Sequence, residues 1–372
     1  MEGKETIYKL AYSFLKGMTS ETVRKISDSG VSPEDFFGQT TRELVKRLDI
    51  SNKALFESLP REEAVVRARK ESELIDKHHI KAIFLLDDDY PKRLSAVEDA
   101  PIILYKLGET DLDNEQIASI VGTRRPTPYG VDFCGKLIKE LSEYFPDIVI
   151  TSGLAYGIDA IAHTKALECN VPTIAVVAHG LNMIYPAAHR DLARTILKKG
   201  GAILSEYPFG VKPFKANFLE RNRIVAALSD VTVVVESAIK GGAMSTANFA
   251  FSYSRDVMAL PGRISDENSE GCNLLIRKQK ASLITGAADL IETTGWKIFN
   301  IKLSPQQRNL FPELEGENKI VYELLKFSRE PLQADRLCSL SKIPVSRLMT
   351  ILSELEFDGI IIRYPGNRYT IS

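Results

Sequence analysis

The sequence predicts an α/β fold over about residues 80–297: an extended Rossmann-like, doubly wound and mostly parallel sheet, flanked by smaller units. Two observations carry this. Seven short apolar runs rich in β-branched residues, ASIVGT, DIVITSG, TIAVVAHG, GAILSEYP, VTVVVES, VMALPG and ASLITG, recur in order. Helical patterns such as VDFCGKLIKELSEYF, GIDAIAHTKALEC and FLERNRIVAALS lie between them. Strands buried on both faces read as continuous apolar runs, and the intervening helices cover those faces through right-handed crossovers. KAIFLL and PIILYKLG, before the repeat, read as lead-in strands.

Residues 1–75 carry apolar positions at three- and four-residue spacing in short segments, which predicts a small helical unit of SAM or helix-hairpin-helix type. Ser32 and Thr41 suit helix N-caps, and Gly30 separates two of the helices. Residues 298–316, including SPQQRNLFPELEGEN, lack periodicity and read as a linker. In 317–372 three helical patterns precede IIIRYPGNRYTI, an alternating segment around a Pro-Gly-Asn turn; together they predict a winged helix.

Composition narrows the function classes. The 372 residues are 44% hydrophobic and 26% charged, as in ordinary globular chains, with a formal net charge of -1. No bulk field attracts nucleic acid, so any such site must be a local cluster of Arg and Lys. Cys134, Cys169, Cys272 and Cys338 are widely spaced with no C-x-x-C pair, which favours reduced thiols in packing roles over a disulfide frame or zinc site. MEGKETIYKL has no apolar signal region, and no membrane-length apolar stretch occurs. The expectation is a cytoplasmic protein with no metal, cofactor or membrane partner.

Three strand ends carry turns suited to holding an anion, because helix N-termini beyond a parallel sheet present free N–H groups and positive dipole ends. IVGTRRPTPYG supplies Gly122, Thr123, Arg124 and Arg125. TSGLAYGIDAIAH supplies Ser152, Gly153 and Gly157, and VVVESAIKGGAMSTA supplies Lys240, Gly241, Gly242, Ser245 and Thr246. Arg221, Asn222 and Arg223 are consecutive on a helix preceded by Lys212 and Lys215; they cannot all face one way, so one is expected to bind ligand while another pairs with carboxylates. Several such turns side by side form a groove, which favours a polyanionic chain over one phosphate. His163 is expected to pack against neighbouring helices, and Asp159 and Glu206 to cap or orient loops.

Enzyme signatures are missing or incomplete. GVDFCGKL has P-loop glycine and lysine spacing, but Leu137 stands where Ser or Thr would meet magnesium and the segment reads as helix. No G-x-G-x-x-G follows the first strand of the repeat, and no G-x-S-x-G or H-E-x-x-H occurs. The alternatives are a Rossmann-type nucleotide-processing hydrolase, for which GGAMSTANFA offers only half of the expected block, and a winged-helix regulator of duplex DNA, for which PVSRLMTILSELEFDG is too acidic.

Taken together, IVGTRRPTPYG, SGLAYGIDAIAH, GLNMIYPAAHRDL, LSEYPFG, RNRIVAALSD, VVVESAIKGGAMSTA and ALPGRISDENSEGCNLLI closely resemble the ordered blocks of the DprA/Smf family of bacterial DNA-processing proteins. The resemblance covers nearly the whole central domain, and the flanking units agree with the family architecture. It implies a recombination mediator with no catalytic residues. Such a protein binds single-stranded DNA, protects incoming DNA and loads the RecA recombinase during natural transformation. It also implies a homodimer through the Rossmann-like domain and single-strand-binding protein as a further partner. The family's Gly-Ser-Arg falls on Gly122, Thr123 and Arg124, its backbone-binding residues also on Ser152 and Gly153, and a basic position after Tyr-Pro on Arg190. The sequence departs from the family where Phe-Pro-x-Arg-Asn-Arg reads Phe218-Leu219-Glu220-Arg221-Asn222-Arg223, and where Lys280-Ala281 replaces a Gly-Ala pair at the expected dimer surface.

Overall fold

In the computed structural model the described residues begin with the helices α1 (Glu2–Tyr12), α2 (Ser20–Asp28), α3 (Pro33–Gly38), α4 (Thr41–Leu48) and α5 (Arg61–Lys77). The structure describes residues 2–48, 59–298, 316–326, 328, 331–357, 360–364 and 367–371. Ser32 caps α3 as expected, its hydroxyl accepting from the Asp35 N–H at 3.1 Å. The α4 cap falls one residue before the expected Thr41. Thr40 pairs reciprocally with Glu43, whose carboxylate accepts from the Thr40 N–H at 2.8 Å; the Glu three residues on selects Thr40. Gly30 takes φ +71° between α2 and α3. Tyr12 anchors the group in an aromatic cluster with Phe36, Phe37 and Phe84, and Phe84 belongs to the sheet. The helices therefore share one unit, residues 1–301, with the α/β core.

That core is a nine-stranded sheet. Its strands are β1 (Lys81–Phe84), β2 (Ile103–Gly108), β3 (Ile117–Val121), β4 (Val149–Ser152), β5 (Thr173–Val176), β6 (Ala202–Ser205), β7 (Val231–Val234), β8 (Asp256–Ala259) and β9 (Ser282–Leu283). They run in the order β1-β2-β6-β5-β4-β3-β7-β8-β9. All seven repeat strands expected from the sequence form, and they pair in parallel; only β1 with β2 and β2 with β6 are antiparallel. Strands β3 to β7 are buried at every position, as a sheet covered on both faces requires. The helices are α6 (Lys92–Ser95), α7 (Pro128–Tyr144), α8 (Ile158–Glu168), α9 (Arg190–Lys198), α10 (Lys215–Leu228), α11 (Gly242–Ser252), α12 (Glu267–Arg277) and α13 (Ala287–Thr294). GVDFCGKL indeed lies within α7.

His163 on α8 is fully buried, and its ring makes its hydrogen bond to β5. Its Nδ1 lies 2.7 Å from the Thr173 hydroxyl, which itself donates to the Ile150 carbonyl at 2.7 Å. Nδ1 therefore carries the proton, and the unprotonated Nε2 is left buried without a donor. Burial lowers the pKa to about 3, with the positive charge on Arg221 adding to the effect. Between 6.5 and 3 the unfolded chain binds a proton that the folded chain refuses. The contribution of His163 to stability is thus complete above pH 6.5 and falls by about 1.4 kcal/mol per unit as the pH drops. Denaturant unfolding at pH 7 and pH 5 should show this loss, and His163→Gln should remove it; an unchanged pH slope in the variant counts against this account.

A second unit, residues 302–372, contains α14 (Gly316–Lys326), β10 (Leu332–Gln333), α15 (Ala334–Ser341), α16 (Val345–Phe357), β11 (Ile361–Tyr364) and β12 (Arg368–Ile371). Leu337, Leu348, Ile351, Leu352 and Tyr369 form its core. The order of its sheet is β10-β12-β11, so the winged helix expected from the sequence has a third, short strand. On α16, Arg347 pairs with Glu317 at 2.9 Å. Residues 299–315 of the expected linker, and Pro365 and Gly366 of the expected turn, lie outside the described residues.

Candidate functional site

After β3 the chain adds β4, β5 and β6 on one side, then crosses through α10 to place β7 on the other. Loops leaving β3 and β7 therefore diverge and open a crevice at the carboxyl edge of the sheet, the place where such folds take ligands. A cleft of about 790 Å³ occupies it. Gly122, Thr123 and Arg124 line one wall, Lys240, Gly241 and Gly242 another, and α10 supplies Lys215, Arg221 and Asn222. Because β4, β3 and β7 are neighbours, the three turns picked out in the sequence stand side by side.

The first turn is held from below. Gly122 sits so close to Ile158 that a Cβ would come within 2.6 Å of its side chain. The Thr123 N–H donates to the Glu236 carbonyl at 2.7 Å, and the Thr123 hydroxyl accepts from the Arg125 N–H at 3.3 Å. Glu236 is a residue the sequence reading passed over. Buried, with φ +69°, it caps α7 by accepting from the Thr127 N–H at 2.8 Å and from the Thr127 hydroxyl. It thus ties the β7 turn to the β3 turn, and its negative charge complements the α7 N-terminus. Glu236→Ala should cost about 2 kcal/mol, the sum of a lost cap and stranded N–H and O–H donors. Thermal unfolding checks this: Glu236→Gln should recover only part of the loss, and a neutral Ala variant would rule out the bracing role.

The second turn works inward. The Ser152 hydroxyl donates to the Ile120 carbonyl at 2.7 Å, and Gly157, at φ +76°, lies against the Thr123 and Arg124 backbone where no side chain fits. The Ala155 N–H points to the Asp159 carboxylate at 3.3 Å. Burial raises the Asp159 pKa, while Arg221 and the backbone N–H groups of Ala155 and Gly153 pull it down. The protein's own carboxylate thus occupies this nest. Gly153 and Asp159 line the cleft floor, whereas Ser152 and Gly157 support it from outside.

On the third turn Gly242 opens α11 into free space, with no atom near its missing side chain. Thr246, four residues on, shares the cleft face; Ser245 falls on a neighbouring face and is not part of the lining. The Arg-Asn-Arg triplet divides as its spacing requires. Arg221, 4% exposed, reaches the cleft floor and donates to the Gly153 carbonyl at 2.5 Å and to the Val176 carbonyl. Asn222 donates to the Gly242 carbonyl at 3.4 Å. Arg223 points away, to Glu206 at 2.5 Å and Asp99 at 3.8 Å, and is the member that pairs with carboxylates. Burial opposes its charge, but Glu206 and Asp99 outweigh it and raise its pKa. Arg125 and Arg190 are exposed and lie outside the lining.

Two aromatic residues to which the sequence reading gave no binding role complete the cleft. Tyr185, 49% exposed, and Phe218 stand with ring centroids 5.7 Å apart on the wall formed by α10 and the loop after β5. Phe218 was within a quoted motif, but only the fold shows that its ring meets Tyr185. Among the described residues no group of His, Cys, Asp or Glu is placed to hold a metal ion, and no helix is long and apolar enough to cross a membrane.

A switch-point cleft with several cations around glycine turns, beside flat rings, places the chain in the class of α/β proteins with a site chemically suited to phosphate-bearing ligands. Comparison with known proteins narrows the class. The family described as DNA recombination-mediator protein A matches residues 81–295, and the DprA winged helix domain matches 305–367. The chain is 37% identical to Protein Smf of Escherichia coli over 278 residues, covering 74% of each chain. It is 38% identical to the DNA processing protein DprA of Streptococcus pneumoniae over 224 residues, 58% of this chain and 78% of that one. The X-ray structure of the Streptococcus pneumoniae protein superposes with a TM-score of 0.64 at 32% identity, covering 78% of this chain and 97% of that one. The DNA processing protein A of Helicobacter pylori, described for its single-stranded DNA binding mode, gives a TM-score of 0.52 at 36% identity, covering 57% and 94%. This chain belongs to the DNA recombination-mediator protein A family, also known as DprA/Smf.

Proposed function

We propose that this protein binds single-stranded DNA as a recombination mediator, protecting incoming DNA and loading RecA recombinase during natural transformation, with no chemical turnover. The observation that carries the reading is the cleft itself: Arg124, Lys215, Lys240 and Arg221 line it together with glycine turns and the Tyr185 and Phe218 rings. Cations and N–H groups hold phosphates without reading sequence, and bases stack on flat rings only when a strand is unpaired. The cytoplasmic setting, the homodimer through the Rossmann-like domain and contact with single-strand-binding protein belong to the same reading. Of the two carboxylates with a possible acid-base role, Glu206 is held by Arg223 and is absent from the cleft lining, and Asp159, on the cleft floor, accepts from the Ala155 N–H, which supports binding over catalysis. Nucleotide hydrolysis that Glu206→Gln abolishes would count against it.

Anisotropy of labelled oligo-dT and a matched duplex over a salt series tests the reading. Single strands should bind more tightly, with a log–log salt slope of about -0.7 for each phosphate neutralised. Equal affinity for the duplex would remove the cleft from consideration. Tyr185→Ala should weaken oligo-dT binding by about tenfold if a base stacks there, and leave the salt slope unchanged.

A further inference from the structure

Beyond the cleft, but built on the same loops, lies a second group of rings and cations. Tyr156 follows Ala155, which lines the cleft, and its side chain is half exposed. Its ring meets that of His189 nearly edge-on, with centroids 5.0 Å apart and an interplanar angle of 67°. His189 Nδ1 lies 2.9 Å from the Leu154 carbonyl, to which it donates, and Tyr185 of the cleft wall precedes His189 in the same loop. Both rings are therefore fixed to segments that form the cleft. Arg190, exposed at the start of α9, directly follows His189 and makes no ion pair among the described residues; Arg194, one turn on, pairs with Asp191 at 2.9 Å.

A half-exposed tyrosine ring braced by a second ring suits a stacked base, and an unpaired guanidinium on the residue after that second ring suits the phosphate of the nucleotide. A duplex hides its base faces and gains little from such a patch. We infer that a single strand leaving the cleft continues across Tyr156 and His189, with Arg190 on its backbone. This also gives Arg190 a place on the strand although it lies outside the cleft. The inference rests on the single-strand reading above.

A ladder of labelled oligo-dT from three to twenty nucleotides tests it in the intact protein. The wild type should gain affinity once the strand is long enough to leave the cleft. Tyr156→Ala should remove about tenfold of that gain while leaving the shortest oligomers unaffected, and Tyr156→Phe should retain it. Arg190→Ala should reduce the salt slope for the longest oligomers by about 0.7 and leave it unchanged for the shortest. An undiminished gain in Tyr156→Ala overturns the inference, as does an equal loss at every length, which would mean a distorted cleft wall. Failure of the underlying reading looks different: the wild type would show no preference for single strands, or Arg124→Glu would bind the shortest oligomers normally.

Discussion

Arg124→Glu should lower affinity for oligo-dT by about a hundredfold or more at moderate salt, the largest functional effect expected of any single change. The substitution removes a cation from the lining and places a carboxylate there, in a cleft whose floor already holds Asp159. Loss of one charge-assisted phosphate contact accounts for about 1.5–3 kcal/mol, and repulsion of the strand adds to it. Arg124 is exposed, so the fold should be untouched and thermal unfolding should match the wild type. Arg125→Glu is the informative comparison, because Arg125 shares the turn but lies outside the lining. Equal losses in the two variants would point to a diffuse field around the turn; no loss in Arg124→Glu would move the site away from this cleft.

Arg221→Ala should have the largest effect on stability, about 4 kcal/mol, with loss of oligo-dT binding as a consequence. Its guanidinium donates to the carbonyls of Gly153 and Val176, at the ends of β4 and β5, and both are stranded when the side chain is removed. Each unsatisfied buried acceptor costs about 1–3 kcal/mol, and the vacated volume adds a cavity. Burial works against the charge on Arg221 and lowers its pKa, with Asp159 opposing that shift. Arg221→Ala also leaves the Asp159 carboxylate without its nearest buried cation. Both bonds come from a single nitrogen, Nη1, so Arg221→Lys, whose ammonium carries three donors on one nitrogen, should recover part of the loss. Denaturant titration distinguishes the outcomes: a variant as stable as wild type that still loses DNA binding would make Arg221 a direct ligand contact and not a strut.

The sequence determined the elements and their chemistry. Runs such as IASIV and VTVV, apolar but for one small hydroxyl residue each, suit a sheet covered on both faces, and the helical patterns between them leave few alternatives to a parallel order. Glycine and hydroxyl residues at strand ends marked the anion turns before any contact was known, because those residue types serve backbone approach to phosphate. The side on which each strand is added was not legible. That choice puts β4, β3 and β7 together, and it arises from packing of the whole sheet, to which no local segment is privy. The division of Arg221 and Arg223 was foreseen as a necessity of helical spacing, but which of them turned inward depended on where Glu206 and the carbonyls of Gly153 and Val176 came to lie. In the same way, Asp159 occupying the second turn, Glu236 bracing the first and Tyr185 meeting Phe218 are contacts between residues from 4 to 109 positions apart. Local residue patterns report propensity and periodicity; partners brought together by chain crossovers are decided only when the tertiary structure closes.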